Sequence, residues 1–308
     1  MPIVDWSRIV SQLIRITLPA YFLVHSAALA TLFVVRGVVG IDARIYSAAA
    51  RAWLDGGDPW ATAVGGYYFA APPPTLLPFV PFALLGQTLS AAIWVIGSAA
   101  VALLIVRRLG LSWWWAFFPP ITNGVLAGNP DVLIVALVIA RNEVLGTLAT
   151  FFKIYAFVPI LGERQWRTAV AATAALLVTV PLLPWNYYVP RIWEIAATLD
   201  RQSIGISAFG TPWLMAGVGL ALVILGPRFA GWLAVPTLWP SVQLHYSALA
   251  LPALALVRSP GALLVAAVLL SHERLGFPPL AVLVLALSAV WTRMRAKRRA
   301  VTPAASGP

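Results

Sequence analysis

Residues 16–37, ITLPAYFLVHSAALATLFVVRG, decide the fold class of this chain. No Asp, Glu, Lys or Arg interrupts the stretch before Arg36. About 20 mostly apolar residues are enough for a helix to cross the hydrocarbon core of a bilayer. The stretch is too long for a signal peptide and lacks the small-residue cleavage pattern. It therefore predicts a membrane-spanning helix that remains part of the protein.

The composition of the whole chain extends this prediction. Of 308 residues, 61% are hydrophobic and 10% are charged, whereas a soluble domain carries about 25% charged residues. A soluble core of this size cannot hide so much apolar surface. The absence of cysteine excludes disulfides, thiolate nucleophiles and cysteine metal sites. We expect an all-α polytopic membrane protein in which residues 1–308 form a single domain.

Hydropathy predicts about ten crossings, within a range of nine to twelve. Two further apolar stretches, 72–86 and 152–162, are interpreted as half-spans or interfacial helices. The ten predicted spans cover residues 16–37, 88–106, 112–127, 131–150, 168–184, 213–226, 229–240, 242–257, 260–271 and 275–292.

The distribution of charge predicts the orientation. We place the N-terminus in the cytoplasm and count the 21 basic residues along the ten spans. Fourteen of them, including Lys153, then lie in the cytoplasm, six lie on the outer side of the membrane, and Arg141 lies within a span. This bias favours two cytoplasmic termini by the positive-inside rule. The basic tail, 293–308, is interpreted as an anchor to anionic lipid rather than a nucleic-acid site. The six outer basic residues are Arg36, Arg44, Arg51, Arg191, Arg201 and Arg274.

Acidic residues show the opposite bias, so we expect a functional site at the outer face. Two outer segments, 38–71 and 185–212, are long enough to hold one. The first contains a predicted interfacial helix over 45–54 that ends at Gly56-Gly57, and the second contains one over 190–200. Arg141 and Glu143 are expected to pair with each other or to extend to the membrane surface.

Asp42 opens the first outer segment, and two interpretations of it stay open. The first is a helix N-cap, because Asp followed by Ala-Arg-Ile-Tyr is a good start signal. The second is a general base at the membrane surface, where apolar surroundings adjust the pKa of a carboxylate.

A series of motifs continues from Asp42. The run D-x-x-x-Y-x-x-A-A-x-A-x-L-x-G-x-D-P-W covers 42–60, and Y-F-A-A-P-P-P-x-L-L-P-F covers 68–79. G-N-P-D follows at 128–131, K-I-Y-A-F-V-P at 153–159, R-Q-W-R at 164–167 and S-V-Q-L-H-Y at 241–246. In their order and spacing these motifs resemble the polyprenol-phosphate-mannose-dependent mannosyltransferases. That family belongs to the C-type superfamily of integral membrane glycosyltransferases.

The resemblance implies a sugar transfer at the outer face of the membrane, from a polyprenyl-phosphate donor to a glycolipid or glycan acceptor. Richness in Ala, Arg, Trp and Pro is typical of a GC-rich bacterial genome, so we expect a bacterial plasma membrane. The family's proposed general base corresponds to Asp42, its histidine to His245, and a second acidic position to Asp131. The chain departs from the pattern at Ala71, where some relatives carry a lysine, and at Asp131, where the family usually has asparagine. Mannose is the family's main donor sugar, although relatives use arabinofuranose.

The expected chemistry is an inverting single displacement without metal or cofactor. One carboxylate removes the acceptor proton, and cationic groups stabilise the departing phosphate. The expected phosphate contacts are His245, Arg44 and Arg201. The expected acceptor contacts are Asp131, Tyr46, Tyr68 and Tyr246.

Structural roles remain open for these residues, and other functions remain open for the protein. His245 can be a satisfied polar group at a helix end, and outer arginines also bind lipid headgroups. Lys153 is interpreted as structural or cytoplasmic. A transporter or lipid flippase is the alternative function, although the two halves show no inverted repeat. A non-catalytic partner of an envelope-glycan enzyme is a third.

Overall fold

A computed structural model of the chain describes residues 6–202, 205–272 and 277–301. It is mostly helical, as predicted, with a minimal antiparallel pair of strands, β1 (Ala63–Val64) and β2 (Tyr67–Tyr68). The helices are α1 (Trp6–Val35), α2 (Ile41–Leu54), α3 (Leu76–Ala83), α4 (Gln87–Arg108), α5 (Pro119–Ala127), α6 (Asp131–Ile139), α7 (Glu143–Phe152), α8 (Phe157–Gly162), α9 (Trp166–Thr179), α10 (Trp185–Tyr188), α11 (Ile192–Gln202), α12 (Pro212–Leu225), α13 (Pro227–Leu238), α14 (Leu251–Leu254), α15 (Pro260–Leu269) and α16 (Pro278–Val301).

Three helical stretches in the described part of the chain are long and apolar enough to cross a membrane. They are Ile16–Val35, Gln87–Arg108 and Pro278–Lys297, which correspond to the predicted spans 16–37, 88–106 and 275–292. A fourth candidate is the pair α5 and α6, which would form one broken span because the chain bends by 114° between them. Five shorter apolar helical segments in the described residues overlap further predicted spans, so the count of about ten stays a prediction. The predicted outer residue Arg274 lies outside the described residues.

The interpretation of 131–150 as a single span is wrong. The chain turns back at residues 140–142, between α6 and α7. Asn142 is the N-cap of α7, since its side chain accepts hydrogen bonds from the backbone N–H groups of Val144 and Leu145. An ion pair between Asp131 and Lys153 joins the other ends of the two helices. The segment is therefore a helical hairpin rather than one continuous helix.

The predicted span 242–257 also departs from a regular α-helix. Residues 244–250 form a 3-10 helix that continues into α14, and all of residues 244–254 are buried. This segment packs against α5, α6 and α13. Irregular backbone at membrane depth is tolerated only where protein surrounds it or where it lines a cavity. The position of the 3-10 helix satisfies this condition.

The two long segments that were predicted to lie outside, 38–71 and 185–212, pack against each other. The helix predicted over 45–54 begins four residues earlier, at Ile41, and the second predicted helix is observed as α11, starting at Ile192. Arg191 forms an ion pair with Asp58, and the rings of Trp60 and Tyr188 lie 5.4 Å apart. The two segments therefore lie side by side in the fold.

Glu163 holds three turns together at a different place in the fold. Its carboxylate accepts hydrogen bonds from Arg228 (Nε–Oε1 2.8 Å) and from the indole of Trp232 (2.9 Å). Arg141 approaches the other oxygen at 3.3 Å. Arg141 therefore pairs with Glu163, and the expected pairing with Glu143 is not observed.

Candidate functional site

The candidate active site is a cavity of about 290 Å³. It lies where the start of α2, the turn between α5 and α6, the chain after α7 and the buried 3-10 helix meet. Apolar side chains from the end of α1 form one wall. The polar side chains that line it are Arg36, Asp42, Tyr46, Tyr67, Tyr68, Asn123, Asn129, Lys153, Tyr155, Tyr188, Gln243, His245 and Tyr246.

Asp42 is not the N-cap of α2. That position belongs to Gly40, at φ 68°, and no side chain caps the helix. Asp42 lies in the first helical turn, where the helix dipole favours a negative charge. The N–H of Gly40 donates to the carbonyl of Leu126 at 2.7 Å, which attaches the start of α2 to the end of α5. The carboxylate is therefore available to the cavity.

Two glycines allow α2 to approach its neighbours this closely. A Cβ on Gly40 would lie 2.6 Å from the Cβ of Ala91 on α4. A Cβ on Gly128, which has φ 72°, would lie 2.9 Å from the Cβ of Ala43. Real Cβ atoms do not approach so closely, so both contacts require glycine. The Gly128 contact places the Gly-Asn-Pro-Asp turn directly against the start of α2.

Asn129 orients the carboxylate of Asp42. Its side-chain N–H donates to Asp42 Oδ2 at 2.6 Å, and its own Oδ1 accepts from the backbone N–H of Asp131 at 3.1 Å. Asn129 is buried. Because both ends of the amide are engaged, the carboxylate of Asp42 is held in one orientation.

Asp131 lies at the centre of a buried polar cluster. Its side chain is fully buried, and its Oδ1 accepts a hydrogen bond from the hydroxyl of Tyr155. Lys153 Nζ lies 3.3 Å from the same oxygen, and His245 Nε2 lies 3.7 Å from Oδ2. A buried charge is tolerated when it is paired and hydrogen-bonded. Asp131 therefore supports the two nitrogen-bearing side chains from behind the cavity wall.

Lys153 is the buried cation of the site, and it was not predicted as a site residue. Its ammonium lies 4.7 Å from the ring centroid of Tyr246 and 5.3 Å from that of Tyr155, distances typical of cation–π contacts. It lines the same cavity as Asp42. Two side chains in one cavity cannot lie on opposite faces of a membrane. The cytoplasmic placement of Lys153 is therefore wrong if Asp42 is outside.

His245 reaches the cavity from the buried 3-10 helix. Its Nδ1 lies 3.2 Å from Asn123 Oδ1, so a protonated Nδ1 would donate to that amide oxygen. Within the described part of the chain, neither His245 Nε2 nor Asp131 Oδ2 has a hydrogen-bond partner. Buried polar atoms are rarely left without partners. Of these two residues only His245 lines the cavity, so its ring marks a place where a substrate hydroxyl, a phosphate oxygen or a water molecule can bind.

The two predicted arginines lie elsewhere. Arg44 donates to the carbonyls of Gly37 (3.1 Å) and Val39 (2.7 Å), so it stabilises the turn before α2 and does not line the cavity. Arg201 is exposed on α11 and donates to the hydroxyl of Thr198 at 3.1 Å. The arginine that does line the cavity is Arg36, at the end of α1.

The other predicted side chains do meet. Tyr46, Tyr68 and Tyr246 line the cavity together with Asp42 and His245. Asn129 and Tyr155 also line the cavity; they lie within the sequence motifs but were not predicted as site residues. The signal that could have found them is their place beside Asp131 and Lys153 in those motifs.

Burial in this cavity changes the acidity of the residues on α2. Burial raises the pKa of Asp42, while the hydrogen bond from Asn129 and the charge of Lys153 oppose that rise. The charge of Asp131 adds to it. The pKa of Tyr46 is raised well above its usual value, first by burial and then by the charge of Asp42. Tyr46 is therefore a neutral hydrogen-bonding group, whereas Asp42 is a stronger base than an exposed aspartate.

Comparison with known proteins brings no family to this chain: no family model, curated protein or solved structure matches it. The chemistry of the cavity is what remains to indicate function. It combines one oriented carboxylate, one buried ammonium, one imidazole and several phenols beside an apolar helix.

Proposed function

We propose that this protein is a membrane glycosyltransferase that moves a sugar, with mannose as the favoured donor sugar, from a polyprenyl phosphate to a lipid or glycan acceptor. The observation that carries the proposal is the cavity that holds Asp42 together with Lys153 and His245 next to a candidate membrane span. A carboxylate and cations in one cavity suit a reaction that removes a proton and releases a phosphate.

In this mechanism Asp42 accepts the proton of an acceptor hydroxyl as the hydroxyl oxygen attacks the anomeric carbon. The bond between that carbon and the phosphate oxygen breaks, and its electron pair goes to the phosphate. Lys153 and Arg36, the two cations that line the cavity, stabilise the charge on the departing phosphate. The attack comes from the face opposite the leaving group, so the anomeric configuration inverts. Asn129 holds Oδ2 of Asp42, which leaves Oδ1 to take the proton.

The proposed topology follows from the helical hairpin. We call each segment that crosses the membrane a leg. If α6 and α7 are two legs and the chain over 154–162 is a third, Asp42 and Lys153 lie on the outer side. The chain then crosses about twelve times, at the upper end of the predicted range, and both termini stay cytoplasmic in a bacterial plasma membrane. Arg107, Arg108, Arg141, Arg164 and Arg228 are then cytoplasmic, as the positive-inside rule favours.

The test is transfer by the purified protein in proteoliposomes. Labelled polyprenyl-phosphate mannose is added with membrane lipid extract as acceptor, and labelled glycolipid or glycan is measured. We expect label in the acceptor fraction with the unmodified chain and none with Asp42→Asn. Movement of intact donor across the bilayer without transfer would instead identify a flippase. The same assay with a polyprenyl-phosphate arabinofuranose donor tests the choice of sugar.

A further inference from the structure

An open apolar groove runs along one face of α1. It is lined by Tyr21, Val24, Ala28, Leu29 and Leu32, together with Ala20 and His25. Val24 and Ala28 are exposed, so the floor of the groove is not filled by other parts of the fold. Leu29 and Leu32 also line the candidate active-site cavity. The groove and the cavity therefore meet at these two leucines.

The position of the groove indicates what can occupy it. It lies entirely within Ile16–Val35, one of the candidate membrane spans. From Leu32 to Tyr21 the helix rises about 16 Å at 1.5 Å per residue. Half of a hydrocarbon core of about 30 Å is about 15 Å. The groove therefore has the length of one leaflet, and a hydrocarbon chain is the ligand that fits such surroundings.

The junction of groove and cavity carries positive charge. Arg36 follows Leu32 by one helical turn and lines the cavity, and Lys153 lines the cavity as well. A phosphate at this junction would place its charge between two cations, its hydrocarbon chain in the groove and its sugar in the cavity. An uncharged lipid acceptor has no phosphate for these two cations to bind.

We propose that the α1 groove binds the polyprenyl chain of the donor, with the donor phosphate at the junction beside Arg36. This inference rests on the proposed function, since it assigns the binding site of the donor's lipid chain. It makes chain length a determinant of donor use. A long polyprenyl chain gains apolar contact along α1, whereas a short prenyl chain ends near the junction.

The first experiment compares donors of different length in the full-length protein. Ala28→Trp places a large side chain in the groove at an exposed position, and Ala174→Trp makes the same change on the exposed face of α9. We expect the ratio of long-chain to short-chain transfer to fall about tenfold in Ala28→Trp, a change of about 1.4 kcal/mol. The ratio should be unchanged in Ala174→Trp. An unchanged ratio in Ala28→Trp overturns the inference.

A second experiment does not depend on transfer. The unmodified protein is incubated with a polyprenyl phosphate that carries a photoreactive diazirine in its chain, and labelled peptides are identified by mass spectrometry. We expect labels on residues 20–32, with competition by unlabelled polyprenyl phosphate. Labels confined to other helices overturn the groove assignment. If labelling occurs at α1 but no donor is ever transferred, the groove stands and the proposed reaction fails.

Discussion

At the scale of single residues, Asp42 and Asp131 have different surroundings although both lie close to Lys153. Asp42 lines the cavity and has one fixed amide partner, whereas Asp131 is enclosed by the side chains that it holds. A carboxylate that exchanges protons with substrate needs access to the cavity, and one that orients neighbouring side chains does not. The two aspartates should therefore respond differently to the same substitution.

Replacing Asp42 by Asn should abolish transfer while preserving the fold. Asn can still accept the hydrogen bond from Asn129, and the helix loses no cap because Gly40 holds that position. Asn cannot take a proton, and loss of general base catalysis costs about 10²–10⁴ in rate. The measurement is the transfer rate together with the melting temperature. The control is Asp55→Asn at the opposite end of the same helix, where the ion pair with Arg51 is exposed. Transfer by Asp42→Asn at the unmodified rate would remove Asp42 as the base.

The pKa of Asp42 predicts the acid limb of the pH profile. Because burial raises that pKa, the rate should rise with pH through a value above the usual aspartate range. The sign for stability is opposite: the folded state holds the proton more tightly, so ionisation costs stability as pH rises above the unfolded value of about 3.9. Asp42→Asn should thus melt no lower than the unmodified chain at neutral pH. A limb at or below the usual aspartate pKa contradicts this explanation.

Asp131 should act through Lys153 and therefore affect folding. Asp131→Asn leaves a buried ammonium without its counter-charge, and breaking a buried pair costs about 3–5 kcal/mol. The double variant Asp131→Asn with Lys153→Met removes both charges, so its melting temperature should recover part of the loss. Transfer should stay low in the double variant, because the phosphate loses the cation of Lys153. If single and double variants melt alike, the pair contributes no coupling energy and Asp131 has another role.

At the scale of elements, the α6–α7 hairpin shows where the sequence was informative and where it was not. Hydropathy predicted the apolar stretch 131–150 correctly but not its reversal, because average hydropathy carries no direction. The local signal for the reversal was Asn142 followed by Glu143, a pattern typical of a helix start. The apolar residues on both sides kept the average hydropathy high, so the stretch was predicted as one span. Asp42, Asp131 and His245 were predicted from motifs, whereas the missed turn led to Asp42 and Lys153 being predicted on opposite faces although they line one cavity.

The close approach of α2 to the α5–α6 turn gives a test at this scale. Gly128→Ala puts a Cβ 2.9 Å from that of Ala43 and also strains a residue with φ 72°. Gly56→Ala is the matched control, since it has φ 76° but no atom within 4 Å. The left-handed conformation alone costs about 1–2 kcal/mol. We expect both variants to melt lower, and only Gly128→Ala to lose transfer, because it separates Asn129 from Asp42. Equal activity in the two variants would show that this contact does not position the base.

At the scale of the whole molecule, many legs are too short to cross a bilayer alone. A helix of ten residues rises about 15 Å, half of the hydrocarbon core. Such pieces are stable at membrane depth only when protein surrounds their free backbone groups. The buried 3-10 helix at 244–250 and the short helices around it meet this condition, and they leave a cavity between them. The same irregularity explains why hydropathy could not determine the number of crossings.

The ten-span and twelve-leg arrangements can be separated by single cysteines, because the chain contains none. Asp55→Cys, Glu143→Cys and Ile154→Cys all replace exposed residues. In the twelve-leg arrangement, a membrane-impermeant thiol reagent labels positions 55 and 154 on intact cells, and labels position 143 only after permeabilisation, since it lies at the cytoplasmic tip of the hairpin. In the ten-span arrangement, position 143 lies within a span and stays unlabelled throughout, and position 154 is labelled only from inside. Labelling of position 143 on intact cells would contradict both arrangements and would place the hairpin tip outside.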